Sequence, residues 1–420
     1  MDKPVTTQQG SCTSATAALG IARDFEEIHT AYQQLQKKKT TMFQIHSQRR
    51  FHSGFHCTFD LIRDIAERTN CPVTNIISTH CDGMWRMPSE IVDQNYHSFR
   101  HGYGKVSHSG YHFMDMCYLL MKMGWGKEKR PDRAEVVSSF ITPNGFLTSL
   151  NGGDYRQLFG KQYDDFCQYS EEDLLQLTKD MGEIDASVQV TFFQANNPIA
   201  LAQINLQHNG FTRRSWLKAG PDLYKGIGRV KHEFHEIKCG PLQTVVIDSR
   251  QANDKHDRSV PSTAKIGSDN HFEVHVFRNS DLLQEETPFR TYSVDDLDRR
   301  HQTDKPGLYS ENIKRGILDE TIDFVNGKKN VRSITSPLTD HDIPAHLMSA
   351  VYLSHVIRIA GGNPIVNLKI SYTDDGAPQG SIDIRPPARG LSRSFSPVYI
   401  SLLSVFAPTS PRHWHFNEVV

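Results

Sequence analysis

The chain of 420 residues has no CxxC pair, no glycine-rich phosphate loop and no apolar run of the ~18 residues a membrane-spanning helix needs. Its seven cysteines, Cys12, Cys57, Cys71, Cys81, Cys117, Cys167 and Cys239, are odd in number and scattered. That excludes a disulfide framework and a thiolate zinc site, and it predicts a reducing, cytoplasmic setting. A charge bias is missing too: 47 Lys and Arg stand against 48 Asp and Glu. No global field therefore selects nucleic acid or an anionic membrane surface, and the expected partners are small molecules or other protein chains. No charged-then-apolar leader opens the sequence, and it carries no internal repeat. With 37% hydrophobic residues over this length, the chain can bury a large core, and two domains are the first expectation.

The missing phosphate loop carries most weight. A dinucleotide domain needs GxGxxG between a strand and a helix, because the glycines let backbone N–H groups approach the pyrophosphate. Gly102-Tyr103-Gly104 follows no apolar strand, Gly226-Ile227-Gly228 lies in a polar stretch, and no GxxxxGK[ST] occurs.

What is present has two periods. Ala22, Phe25, Ile28, Tyr32 and Leu35 recur at helical spacing over 22–36, and the following TMFQIHSQ reads as a strand. A second amphipathic helix is expected at about 56–69, then a strand VTNIISTH continuing past DGMWRMP. Later the period shortens to two: 186–193 and 199–207 predict a hairpin across QANNP, with further strands at 242–248 and 272–277. Helices return at 309–326 and 341–360, while 250–270 and 278–308 read as exposed loops and the Pro/Ser-rich 386–412 as weakly structured.

Three motifs occur in order: Asp2-Lys3-Pro4, then Arg49-Arg50-Phe51, then GKVSHSGYHFMD with Gly104, Gly110, His112 and Asp115. This order resembles the Gfo/Idh/MocA family of NAD(P)-dependent oxidoreductases, in which a [E/D]KP turn closes a dinucleotide-domain strand and G-x3-D-x-G-x-H-x2-D opens a catalytic helix. The resemblance implies an α/β (α+β) fold. Residues 1–50 would be the C-terminal remnant of a Rossmann domain, and 51–420 an α/β catalytic domain on a large open, mainly antiparallel sheet through which copies oligomerise. It implies NAD or NADP as cofactor, and a sugar, polyol or related hydroxyl compound as substrate. By position, Lys3 and Pro4 would lie at the cofactor, Lys3 and His112 would be catalytic, Asp115 would support them, and Arg49 and Arg50 would orient substrate. Gly110 would permit close packing before the histidine. His108 stands where the family has aspartate, so a relay through that carboxylate would be altered. The strand, glycine-rich turn and ribose-binding acid would lie upstream of Met1, which implies a chain deficient in cofactor binding.

The residue chemistry fits that implication without requiring it. Taking hydride from a carbinol carbon needs a base for the hydroxyl proton, and histidine titrates near working pH. A lysine ammonium would stabilise the oxyanion. The plainer alternatives are a hydrogen-bonded histidine at a helix start, a solvated terminal Lys3, and Arg49 and Arg50 in salt bridges. His108 and His112, four apart, would also share a helix face and present two metal ligands, as KHEFHE would with His232 and His235, but no third ligand is apparent. Trp85 and Trp125 would stack on a sugar or fill a core, Arg213 and Arg214 sit in the loop after the hairpin, and His413 and His415 read as a tail. Two other classes therefore stand beside the oxidoreductase: a non-enzymatic oligomerising or ligand-binding protein, and a metal-dependent hydrolase or lyase.

Overall fold

A computed structural model describes all residues except 1–2, 5–6, 82–86, 94–98, 127, 209–230, 252–265, 269, 301–308, 375 and 384–420. Ten strands form one open sheet, ordered β10-β9-β2-β3-β4-β1-β5-β6-β7-β8. They are β1 (Asn75–Cys81), β2 (Arg133–Ile141), β3 (Asp185–Gln194), β4 (Asn197–Gln207), β5 (Lys231–Cys239), β6 (Gln243–Gln251), β7 (Asn270–Arg278), β8 (Phe289–Tyr292), β9 (Val366–Tyr372) and β10 (Pro378–Asp383). Every neighbouring pair is antiparallel except β1 with β4. The fold is thus an α/β architecture on a large, mainly antiparallel open sheet, as the alternating patterns predict.

One face of the sheet is covered by helices. α1 (Ala15–Lys38) and α2 (Ser53–Thr69) precede β1, and α3 (Pro88–Asp93) and α4 (Tyr111–Met123) follow it. Between β2 and β3 run four short helices, α5 (Pro143–Ser149), α6 (Gly152–Phe159), α7 (Gln162–Phe166) and α8 (Glu171–Leu177). Around β8 lie α9 (Ser280–Leu283) and α10 (Val294–Arg300), and α11 (Tyr309–Val325) and α12 (Asp342–Ile359) follow. α12 crosses β2, β9 and β10, α4 lies on β1, and α2 lies on β6 and β7. Strand residues alternate accordingly: Val188, Val190 and Phe192 are buried beneath the helices, whereas Leu201 on the other face is 50% exposed. The main core runs from Cys12 and Ile21 through Ile370, so residues on both sides of position 50 pack together.

Close approaches fix the helix layer. Ser14 caps α1, whose Ala18, Ile21 and Phe25 are fully buried. α1 packs on α12, with His346 bridging Glu26 (3.0 Å) and Asp342 (3.3 Å) and Ser349 bonding the Ala18 carbonyl at 2.8 Å. A Cβ on Gly54 would sit 2.0 Å from the Phe272 ring, which sets how near α2 lies to β7.

Several expectations are corrected. TMFQIHSQ is not a strand: Gln44 makes one isolated bridge to Pro337, and its side chain is drawn to Glu320 on α11 instead of along a ladder. KHEFHE belongs to β5, not a helix, and a separation of three on a strand sends the histidines to opposite faces: His235 is buried and His232 exposed. The stretch 278–308, read as exposed loop, contains α9, β8 and α10, because β8 extends the sheet edge and Leu283 and Leu297 reach the core. β1 ends at Cys81, and the continuation past it, Trp85, Gly226–Gly228, Arg213, Arg214 and 386–415 lie outside the described residues.

The His346 contact predicts a pH dependence. Burial alone would lower its pKa, but Asp342 and Glu26 outweigh it and hold the imidazolium up to about 10. A folded-state value above the unfolded one means the stabilisation is complete below the ordinary histidine range and fades as pH rises toward 10. Thermal melts of wild type and His346→Gln should therefore differ most in mild acid and converge toward pH 10.

Candidate functional site

α4 begins in an unusual way. Residues Val106–Gly110 form a π turn, and α4 continues directly from it. Single π turns inside helices commonly occur at functional positions. Glycine makes this one possible: a Cβ on Gly110 would lie 2.6 Å from Leu206 Cδ1 and 3.2 Å from the Lys105 carbonyl oxygen, and one on Gly104 would lie 1.9 Å from the Glu183 carbonyl oxygen.

The turn orients two sets of groups. Lys105 and Phe113 reach the sheet. Lys105 is 2% exposed and interacts electrostatically with Cys81 at the end of β1 and Asp185 at the start of β3. Burial pushes its ammonium down, Cys81 and Asp185 hold it up, and the balance is a pKa of about 7. A lysine in that state exchanges a proton at neutral pH. The Phe113 ring stacks on His80 (4.7 Å) and His235 (5.3 Å). Burial, then Lys105, hold His80 well below its ordinary value, so it is neutral. Burial raises the Asp185 carboxyl, opposed by the His208 amide at 2.8 Å and by Lys105. His108 and His112 are half-buried, four residues apart at the helix start, with His108 edge-on to Tyr103 (6.2 Å) and His112 beside Tyr111 (6.1 Å).

The other predicted residues lie elsewhere. Lys3 is half-buried and Pro4 buried at the start of the chain. Asp115 is fully buried against Arg50: Arg50 Nη2 donates to Oδ1 at 2.6 Å and Nε to Oδ2 at 3.0 Å. Arg50 also donates to Asp340 Oδ2 at 2.7 Å and is 1% exposed, so its guanidinium is engaged inside the protein. Burial would raise the Asp115 carboxyl, but Arg50 and His341 lower it below the usual range. Burial and then Arg50 push His341 down to about 3, leaving a neutral ring between Tyr111 Oη (2.7 Å) and Ser336 Oγ (2.8 Å). Arg49 grips Glu233 on β5 with two donors, at 2.7 and 2.5 Å, and lies over the Phe113 ring.

The helix start that carries His108 and His112 also carries Lys105, which interacts with His80 and Asp185, while His112 is within electrostatic reach of His341, whose ring lies 3.5 Å from Asp115. Lys105, His80 and Asp185 were not singled out in the sequence. The signal for His80 was there: in β1 the polar Ser78 and His80 share the buried face with Ile76. Among the described residues, no group of three or more His, Cys, Asp or Glu side chains is arranged to hold a metal ion.

Among the described residues, the glycine pair with the GxG spacing does not cradle a dinucleotide. The nearest glycine pair, Gly102 and Gly104, is filled by the protein itself: a Cβ on Gly102 would meet the Gly10 backbone at 2.6 Å, and Gly104 abuts Glu183.

No family model matches the chain, and no curated protein matches it. Solved structures do. An oxidoreductase domain protein from Kribbella flavida is 11% identical, with TM-score 0.42 over 82% of this chain and 70% of that one. An oxidoreductase from Sinorhizobium meliloti is 9% identical, with TM-score 0.42 over 80% and 68%. Levoglucosan dehydrogenase in complex with NADH and levoglucosan is 12% identical, with TM-score 0.42 over 84% and 76%. Similarity at this level leaves the family open and carries no functional weight.

The buried ion pair makes a stability prediction. Asp115→Asn should cost about 3–5 kcal/mol, because it takes the fully buried counter-charge from Arg50 and leaves it Asp340 alone, whereas Arg50→Met with Asp115→Leu together should cost less than either single change. Urea unfolding of the three variants measures the difference.

Proposed function

We propose that the chain is the substrate-binding and proton-handling part of an oxidoreductase of the Gfo/Idh/MocA type, acting on a hydroxyl carbon of a sugar, polyol or related compound. The observation that supports this most is the start of α4, where a π turn carrying His108 leads into the helix of His112 directly after Lys105, a buried lysine held to about 7. In this reading His112 accepts the proton from the substrate hydroxyl, and His108 lies next to it as a second polar contact. Lys105, not Lys3, supplies the cation that steadies the developing oxyanion, because it shares the helix start with His112 and is shielded from water. Cys81 and Asp185 keep part of its charge in place against burial and Arg49, and neutral His80 adds no further positive charge. NAD or NADP, when bound, would take the hydride. The residues that hold it are not assigned.

The self-filled Gly102 and Gly104 also favour a second reading, a ligand-binding or oligomerising protein of the same descent without turnover. In both readings a second copy of the chain covers the open sheet face that carries Leu201, Gln203 and Asn205.

Ligand-observed NMR with a panel of sugars and polyols tests the proposal. At least one hydroxyl compound should bind wild type, and His112→Ala should weaken it by about tenfold or more. Reduction of added NAD(P) with that compound separates the enzyme from the second reading, and failure of every hydroxyl compound to bind removes the oxidoreductase. Light scattering on wild type and Leu201→Asp should show an oligomer that the substitution dissociates.

A further inference from the structure

Glu183 is a fully buried acid whose hydrogen-bond partners are neutral. Its Oε1 accepts from the Val106 amide at 2.7 Å and the Tyr352 hydroxyl at 2.9 Å, and its Oε2 accepts from the Cys12 thiol at 2.9 Å. Its carbonyl oxygen accepts from the Lys105 amide at 3.1 Å. Two successive N–H groups at the head of the π turn, which have no partner within a helix, thus end on one residue. A negative group at a helix start is also favoured by the helix dipole. The approach is held by backbone. A Cβ on Gly104 would lie 1.9 Å from the Glu183 carbonyl oxygen, and one on Gly182 would lie 2.2 Å from the Tyr103 carbonyl carbon. Neither glycine tolerates a side chain, so the π turn and the 182–183 segment meet main chain to main chain.

A buried acid is costly where apolar packing would serve. Burial raises the Glu183 carboxyl, and its three donors bring it back only in part. Residues as far apart as Cys12, Val106 and Tyr352 nonetheless converge on it.

We propose that Glu183 is a positioning residue, fixing the head of the π turn so that Lys105 stays out of water beside Asp185. This rests on the assignment of Lys105 to the site. Glu183 touches no substrate in this scheme; it acts through the backbone of Lys105 and Val106.

The test reads Lys105 directly and needs no substrate. In protein carrying [13Cε]lysine, the Lys105 signal is identified by its loss in Lys105→Arg and followed against pH. Wild type should titrate at about 7. Glu183→Met keeps the approximate size of the side chain and accepts from none of the three donors. The Lys105 midpoint should rise by about one unit or more as water reaches the ammonium, and exchange of the Val106 amide should speed by about tenfold or more. Tyr352→Phe removes one donor to the same carboxyl but leaves the bond to Val106, and should leave the Lys105 midpoint where it was. A merely structural Glu183 predicts equal effects of the two substitutions. If Glu183→Met does not fold, Glu183→Asp, one methylene shorter, draws the carboxyl back from the Val106 amide and gives the same readout. An unmoved midpoint in the folded variant, or a wild-type Lys105 that titrates in the ordinary lysine range, overturns the proposal. Absence of any bound hydroxyl compound would remove the oxidoreductase reading and leave these outcomes interpretable.

Discussion

The Arg50–Asp115 pair sets the rotation of α4, and the rest of the site follows from that rotation. Both side chains are out of water, so each is tolerated only while the other is in place. The pair ties the segment Gln48–Phe51 to α4, and through Asp340 to the segment before α12. With Asp115 held by Arg50 and Phe113 laid on the strands, His112 comes within electrostatic reach of His341. At the other end of the helix start, Glu183 holds the π turn. α4 is therefore fixed at two points about ten residues apart by two buried carboxylates of different character, one paired with a cation and one not.

A second polar chain runs beneath Phe113. Ser78 Oγ meets His235 Nδ1 at 2.8 Å, His235 Nε2 meets Glu233 at 3.1 Å, and Glu233 meets Arg49. The residue types are those of a hydrolytic triad, but Ser78 is 1% exposed, and the rings of Phe55 and Phe113 lie against His235. No carbonyl reaches that hydroxyl. Burial raises Glu233, yet Arg49 and His235 bring its carboxyl well below the usual range, so it is a fixed anion. Its field reaches Lys105 and His80, which links this structural chain to the candidate site.

The fold was legible where one face of an element is apolar. α1, α2, α12 and the β3–β4 hairpin all show their periods, and their observed limits, Ala15–Lys38 or Asp185–Gln207, differ from the expected ones by less than two turns. TMFQIHSQ misled because its alternation has no neighbouring strand to serve, and KHEFHE because a histidine pair is visible before its strand partners are. The helix start with His108 and His112 was expected from the resemblance of GKVSHSGYHFMD to a family motif, not from periodicity. Lys105, Asp185 and Glu183 were not, since each acquires its character from distant neighbours: Val106 is 77 positions from Glu183, and Cys12 is 171 away. No local pattern encodes such an encounter. Polar residues on the buried face of β1 were the one trace left in the sequence.

The place of β1 in the sheet has a further consequence. It is the first strand made, yet it lies between β4 and β5, parallel to one and antiparallel to the other. To one side β2, β3 and β4 pair in succession, with β9 added to β2 from far along the chain, and to the other β5 through β8 form a meander able to assemble from near neighbours. Only β1 sutures the two halves, and its contacts span more than a hundred residues. Such long loop closures are slow and come after local pairing. Because Cys81 and His80 sit at its end, the surroundings of Lys105 are completed by the same late event that joins the halves. A partly folded chain, with each half formed and β1 still unplaced, would carry the helix of the site without its chemistry.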